Sequence, residues 1–103
     1  MSFIEMLFTQ QATITPFLRE GNAEPIYGEV ESRKCRIERG RYLVNTAGAN
    51  GTADQVVANA RMFCVGQAIP ERSLIDSDGQ QYVVINCAVM NGFGDHHLEL
   101  YLQ

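Results

Sequence analysis

The chain has 103 residues, of which 46% are hydrophobic and 19% charged, with a formal net charge of -4 at pH 7. That is room for one domain, residues 1–103, with a modest core, and the apolar fraction excludes a disordered tail. The acidic balance excludes the basic field that drives tight nonspecific nucleic-acid binding.

Ser2-Phe3-Ile4-Glu5 fits a capping box, so one reading of the N-terminus is a short amphipathic helix and the other a frayed end. Met1 to Gln10 is apolar but carries Glu5 and no basic leader, and no stretch approaches membrane-spanning length, so synthesis in the cytosol without a membrane anchor is expected. Gln11 to Thr15 reads as a first strand ended by Pro16, with Ala12 and Ile14 on one face and Thr13 and Thr15 on the other. Glu20 to Pro25 is turn-rich. Ile26 to Arg39 reads as one long, bulged strand, Cys35 and Ile37 facing inward and Lys34, Arg36 and Glu38 facing solvent.

The pattern then breaks. Arg41 to Asn59 carries Gly48, Gly51, small residues and only Arg41 and Asp54 as charges, which predicts a long, mobile inter-strand loop without a hairpin signature of its own. A competing reading starts a short helix after Thr52, with Gln55 completing a capping box. Strand pattern resumes at Ala58 to Val65, and Gly66 to Ser73 connects it to a terminal meander. Asp78-Gly79 between apolar runs is a tight-hairpin signal, because such a turn needs positive φ. In His96 to Leu102 the period of two places Leu98, Leu100 and Leu102 together and His97, Glu99 and Tyr101 opposite. The expected fold is all-β: a small barrel of about six strands, a long loop at about 41–59, and the C-terminal strand built into the sheet.

Catalytic signatures are missing. His96 and His97 are adjacent, so in a strand they point to opposite faces and cannot chelate one ion together. Cys35, Cys64 and Cys87 are odd in number, widely spaced and free of any CxxC pair, which argues against a disulfide framework or zinc. Cys64 and Cys87 sit in apolar runs, where a thiol packs as a small hydrophobe more often than it serves as a nucleophile beside a histidine. Asp76, Asp78 and Gly79 match only a fragment of a calcium loop. Asn50-Gly51-Thr52 fits a glycosylation acceptor but lacks a secretory context. No phosphate-binding glycine loop or nucleophile motif occurs. A non-enzyme without cofactor or metal is expected.

The order of the parts resembles the head completion proteins of tailed bacteriophages, the head-tail connector or stopper family of minor capsid proteins. The residues that carry the likeness are Ala12-Thr13-Ile14, Tyr27-Gly28, Cys35-Arg36-Ile37-Glu38, the small-residue segment, Ala60-Arg61-Met62-Phe63, Ile75-Asp76 through Gly79, Tyr82-Val83-Val84 and His96 to Leu102. The resemblance implies a small barrel that assembles with itself as a dodecameric ring beneath the portal and adaptor proteins, meets a tail-completion protein, and is assembled in the bacterial cytoplasm into the virion neck. It also implies that inter-strand loops reach into the channel and hold packaged double-stranded DNA; here Arg41, Leu43, Asn45, Gly48, Asn50, Gly51 and Gln55 occupy that position. A gate with few cations blocks by bulk and hydrogen bonding, since Lys and Arg multiplied around a ring would grip passing phosphates. Two alternatives remain at this point: a tail-completion or neck subunit without a gating role, and a small nucleic-acid- or ligand-binding barrel using Tyr27, Tyr42, Phe63, Tyr82, Phe93 and Tyr101 as stacking platforms.

Overall fold

The computed structural model describes residues 8–47, 53–92 and 95–103. The segment read as a capping box, Ser2 to Glu5, lies outside them, as do Gly48, Asn50, Gly51 and Phe93. The described residues are all-β, with eight strands: β1 (Gln10–Thr15), β2 (Phe17–Glu20), β3 (Pro25–Tyr27), β4 (Glu31–Ala47), β5 (Ala53–Cys64), β6 (Leu74–Ser77), β7 (Gln80–Gly92) and β8 (Asp95–Leu102). Six antiparallel strands close into a ring in the order β1-β4-β5-β8-β7-β6, while β2 and β3 form a separate two-stranded sheet.

Alternation builds the wall. Ala12 and Ile14 of β1, Cys35 of β4, Ala60, Met62 and Cys64 of β5, Ile75 of β6, Tyr82 and Val84 of β7 and Leu98, Leu100 and Leu102 of β8 point into one buried cluster, with Ile69 entering from the β5–β6 connection. Every second residue of these strands therefore reaches the core, and the rest face out. The β6–β7 turn is the predicted one: Asp78 and Gly79 have φ of 51° and 79°, the left-handed values that a two-residue hairpin requires and that Gly adopts without steric cost. The last strand is doubly held, Leu98, Leu100 and Leu102 lying opposite Cys64, Met62 and Ala60 of β5 and, on the other side, Val89, Cys87 and Val84 of β7.

Two expectations are corrected. Ile26 to Arg39 is not one strand: Pro25–Tyr27 pairs back on β2, and the Gly28 amide donates to the Pro16 carbonyl at 2.7 Å, closing that hairpin before β4 starts at Glu31. The segment 41–59 is not a long loop, nor does a helix follow Thr52. Arg41 to Ala47 continues β4, and Ala53 to Asn59 belongs to β5. Tyr42 through Ala47 pairs with Ala58 through Ala53 in continuous register. The apolar period is hidden by a bulge, since Arg39 lies opposite Ala60 and Tyr42 opposite Ala58. Buried positions are odd-numbered before it (Cys35) and even-numbered after it (Val44), so no single phase spans the strand.

Thiol chemistry follows from the fold. Cys35 and Cys64 are opposite one another in β4 and β5 and fully buried. Burial pushes both thiols up to about 11, with the Arg33 guanidinium partly offsetting it at Cys64. They are protonated at neutral pH and pack as small apolar groups.

Because β8 closes the ring through two seams, Leu100→Ala should cost about 2–5 kcal/mol, the usual penalty for a core Leu cavity, out of a total of about 5–15 kcal/mol. Denaturant unfolding measures it. A chain ending at Asp95 should show no cooperative transition; a cooperative melt near that of the full chain would contradict the closed-ring account.

Candidate functional site

The strands of the ring differ in length, and the excess defines the candidate site. Strand β1 pairs with β4 only from Glu31 to Cys35, and β8 pairs with β5 only from Ala60 to Cys64. Past the bulge, β4 and β5 pair with each other alone, forming a two-stranded arm from Tyr42 and Ala58 outward. The antiparallel β7–β8 hairpin leaves the ring at the opposite end, since Leu98 lies beside Cys64 rather than Ala60.

The structure brings together part of the predicted set. Leu43, Asn45 and Gln55 are exposed on the arm, Asn45 directly opposite Gln55 and Leu43 opposite Val57, with Leu43 68% accessible. Arg41 is also exposed but sits in the bulge at the base. Gly48, Asn50 and Gly51 fall outside the described residues. Thus one face of the arm presents Leu43 and the half-buried Val57 beside the amides of Asn45 and Gln55, and the Arg41 cation stays at the root.

Sequence reasoning missed the base of the arm. Gly40 lies in the bulge under the Tyr42 ring; a Cβ there would stand 3.1 Å from the Tyr42 hydroxyl oxygen and 3.3 Å from ring carbons, so a side chain at this position would push the ring outward by a few tenths of an ångström. The Tyr42 hydroxyl donates to the Glu38 carbonyl at 3.4 Å. The Arg61 guanidinium carbon lies 4.9 Å from the Tyr42 ring centre and 5.0 Å from that of Phe63, and Tyr42 meets Tyr101 edge-on at 6.0 Å. Arg61 donates to Glu38 at 2.8 Å and approaches Glu99 at 3.9 Å, while Arg36 pairs with Glu38 at 3.3 Å. The Tyr101 hydroxyl donates to Glu99 at 2.7 Å. We call this cluster the clasp.

Its electrostatics are internally balanced: Arg36 and Arg61 against Glu38 and Glu99. The hydrogen bond from Arg61, reinforced by Arg36, holds the Glu38 carboxyl below its ordinary value, and the Glu99 carboxylate raises Tyr101 by accepting a hydrogen bond from the neutral phenol. One signal was available in the sequence, the alternation that placed Glu38 outward. Its pairing with Arg61 needed the β4–β5 register.

Elsewhere, His96 is exposed and His97 half-buried, as adjacent strand residues must be, with the His97 ring 6.3 Å from that of Phe63. Among the described residues no three His, Cys, Asp or Glu side chains cluster to hold a metal ion. Tyr42, Phe63 and Tyr101, considered as stacking platforms, are engaged by Arg61 or by each other. At the mouth of the ring beside the arm, Gln10, Ile37, Arg39, Ser77, Asp78 and Tyr82 line a cavity of about 30 Å³, the size of one water.

The lowered Glu38 carboxyl fixes a pH dependence. A group whose folded value is depressed stabilises fully above its unfolded value, here near 4.5, and loses that contribution as pH falls through the folded value. Thermal melts below pH 4.5 should therefore fall less steeply for Glu38→Gln than for the parent chain, whose stability at neutral pH should be the higher of the two. Parallel curves for the two chains would show that the clasp is not ionic in effect.

The chain matches no protein-family model, no curated protein and no solved structure.

Proposed function

We propose that this chain is a head-tail connector of a tailed bacteriophage, a head completion or stopper subunit that forms a ring under the portal and adaptor and retains packaged DNA. The observation that carries the proposal is the β4–β5 arm, which outruns its neighbours at the position where the sequence resemblance expects a channel segment. A ring of small barrels supplies a rigid collar, and an arm from each copy supplies the obstruction.

The chemistry of the arm suits that task. Its exposed face offers Leu43, Asn45 and Gln55, which fill space and hydrogen-bond without gripping phosphate. Each cation in such a ring would be multiplied by the number of copies, and phosphate contacts of that kind carry most nonspecific DNA affinity. Arg41 at the root would lie nearest the collar. In this reading DNA contact is transient, the partners are the portal or adaptor above and a tail-completion protein below, and the site of action is the virion neck.

The experiment shortens the arm. Replacing Leu43 through Val57 by Asn-Gly joins the opposed Tyr42 and Ala58 through a two-residue turn suited to a hairpin, and the barrel should still melt cooperatively. Particles carrying this variant should form and join tails yet lose DNA, seen as empty heads by electron microscopy. Particles that keep full genomes would remove the gating role and leave a neck subunit; filled heads formed normally without the protein would remove the connector reading altogether.

A further inference from the structure

Three thiols lie in the wall of the ring, and the register singles out two of them. Cys35 of β4 is the direct partner of Cys64 of β5, and both side chains are fully buried in the core. The kind of pair they form follows from hydrogen bonds nearby. The Ile37 amide donates to the Gln10 side chain at 2.7 Å and so faces β1; alternation directs the Cys35 amide and carbonyl the same way, away from β5. From the other side, Gln103 exchanges both backbone bonds with Val83 of β7, which turns Leu98, Leu100 and Leu102 toward β5 and makes Leu98 and Cys64 a bonded pair. Cys35 and Cys64 are therefore a non-hydrogen-bonded pair of the β4–β5 ladder, in which Cα atoms stand about 4.5 Å apart and side chains come closest. A disulfide bridges Cα separations of about 4.4–6.8 Å. Cys87 is out of reach, since it lies opposite Leu100, itself opposite Met62, two strands and roughly 10 Å from β5.

The two sulfurs are not equivalent. Cys64 ends β5 at the side of the ring away from the arm. There the Arg33 guanidinium meets it, donating to the Cys64 sulfur at 4.0 Å and to the Val65 and Gln67 carbonyls at 3.2 and 2.8 Å. Arg33 favours the thiolate of Cys64, whereas Cys64 and Asp78 push the Cys35 thiol further up. The sulfur at the end of the strand is thus also the one with a cation against it.

We propose that Cys35 and Cys64 are a redox-active pair, which a low-molecular-weight disulfide such as oxidised glutathione converts into a cross-strand disulfide that staples the β4–β5 seam. The Cys64 thiolate attacks one sulfur of the oxidant, which forms a mixed disulfide and expels one glutathione thiolate. Cys35 then gives up its proton, and its sulfur attacks the Cys64 sulfur and expels the second. Two protein thiols thereby lose two electrons and two protons, and the oxidant takes up both in becoming two thiols. Fully buried thiols are inert, so the oxidant enters through a local opening of the Arg33 contact. The new bond closes the loop from Cys35 to Cys64, which contains the whole arm, and restricts the unfolded chain. The inference rests on the fold alone and is independent of the connector reading.

Thiol mapping of the purified, folded protein tests it. The chain is incubated with oxidised glutathione, then denatured, alkylated with iodoacetamide, digested and weighed by mass spectrometry. The peptides carrying Cys35 and Cys64 should be joined to each other until a reductant is added, with Cys87 outside the bridge. Cys35→Ala removes the second nucleophile, so the reaction should stop at a glutathione adduct on Cys64; Cys64→Ala should leave Cys35 free for alkylation. Where either variant fails to fold, the mapping of the parent chain decides. Cys35 and Cys64 both alkylated after exposure to the oxidant, a bridge from either of them to Cys87, or an adduct on Cys64 that the parent chain never resolves would overturn the pair. An adduct on Cys35 in the Cys64→Ala chain, with none on Cys64 in the Cys35→Ala chain, would overturn the order of attack. None of these results bears on the arm-shortened particles, so failure of the thiol pair and failure of the connector reading are separable.

Discussion

Closing six strands into a ring satisfies nearly all ladder groups within the wall, and an unpaired edge survives only where one strand outruns its neighbours. That constraint organises the molecule. Leu98, Leu100 and Leu102 lock β8 between β5 and β7, and with β1 bridging β4 and β6 the circuit has no free end. Natural sheets blunt exposed edges because they template pairing with other chains. Within the ring, among the described residues, edge exposure falls on two hairpin extensions at opposite ends, and the longer of them is the β4–β5 arm.

A two-stranded ribbon alone is marginal in water, so the arm must draw its order from the barrel. The clasp supplies the connection. Tyr42 on the arm, Arg61 on the wall and Tyr101 on the closing strand are in mutual contact, so the direction in which the arm leaves is tied to the strand that completes the ring. The exposed ion pairs contribute little individually. Their value is geometric, because Arg61 meets two ring faces and two carboxylates at once: Phe63, Glu38 and Glu99 fix the guanidinium on the wall, and Tyr42 is the arm's contact with it.

The sequence disclosed the parts of the fold where one alternation runs unbroken. The first strand, the Asp78-Gly79 turn and the terminal leucines were legible because pleat geometry and turn stereochemistry act on adjacent residues. The arm was not, and the reason is the bulge at Gly40 and Arg41: it reverses which parity is buried, and the small residues beyond it give too little contrast to reveal the new phase. The break at Gly28 was hidden because the chain there bonds to Pro16, a contact that nothing local announces. For the site, Leu43, Asn45 and Gln55 were placed correctly on an exposed segment for an incorrect reason, absence of pattern instead of a solvent-facing strand. Arg61 and Tyr101 were invisible because their roles exist only through register.

The β2–β3 hairpin shows how the same barrel holds a second appendage by a different means. Arg72 occupies the left-handed region at φ 75°, a conformation that is uncommon for a side chain of its size. Three contacts hold it there: its amide donates to the Val84 carbonyl at 2.7 Å, its guanidinium carbon lies 4.4 Å from the centre of the Phe17 ring, and it pairs with Glu20. Next to it, buried Ser73 accepts a hydrogen bond from the Phe17 amide at 2.9 Å. The backbone strain at Arg72 is thus offset by fastening the start of β2 to the wall at β7, and the acidic end of the hairpin is left projecting. Both appendages therefore follow one plan, an arginine against an aromatic ring at the root and an exposed surface beyond it, which fastens each to the closed ring without drawing on its buried core.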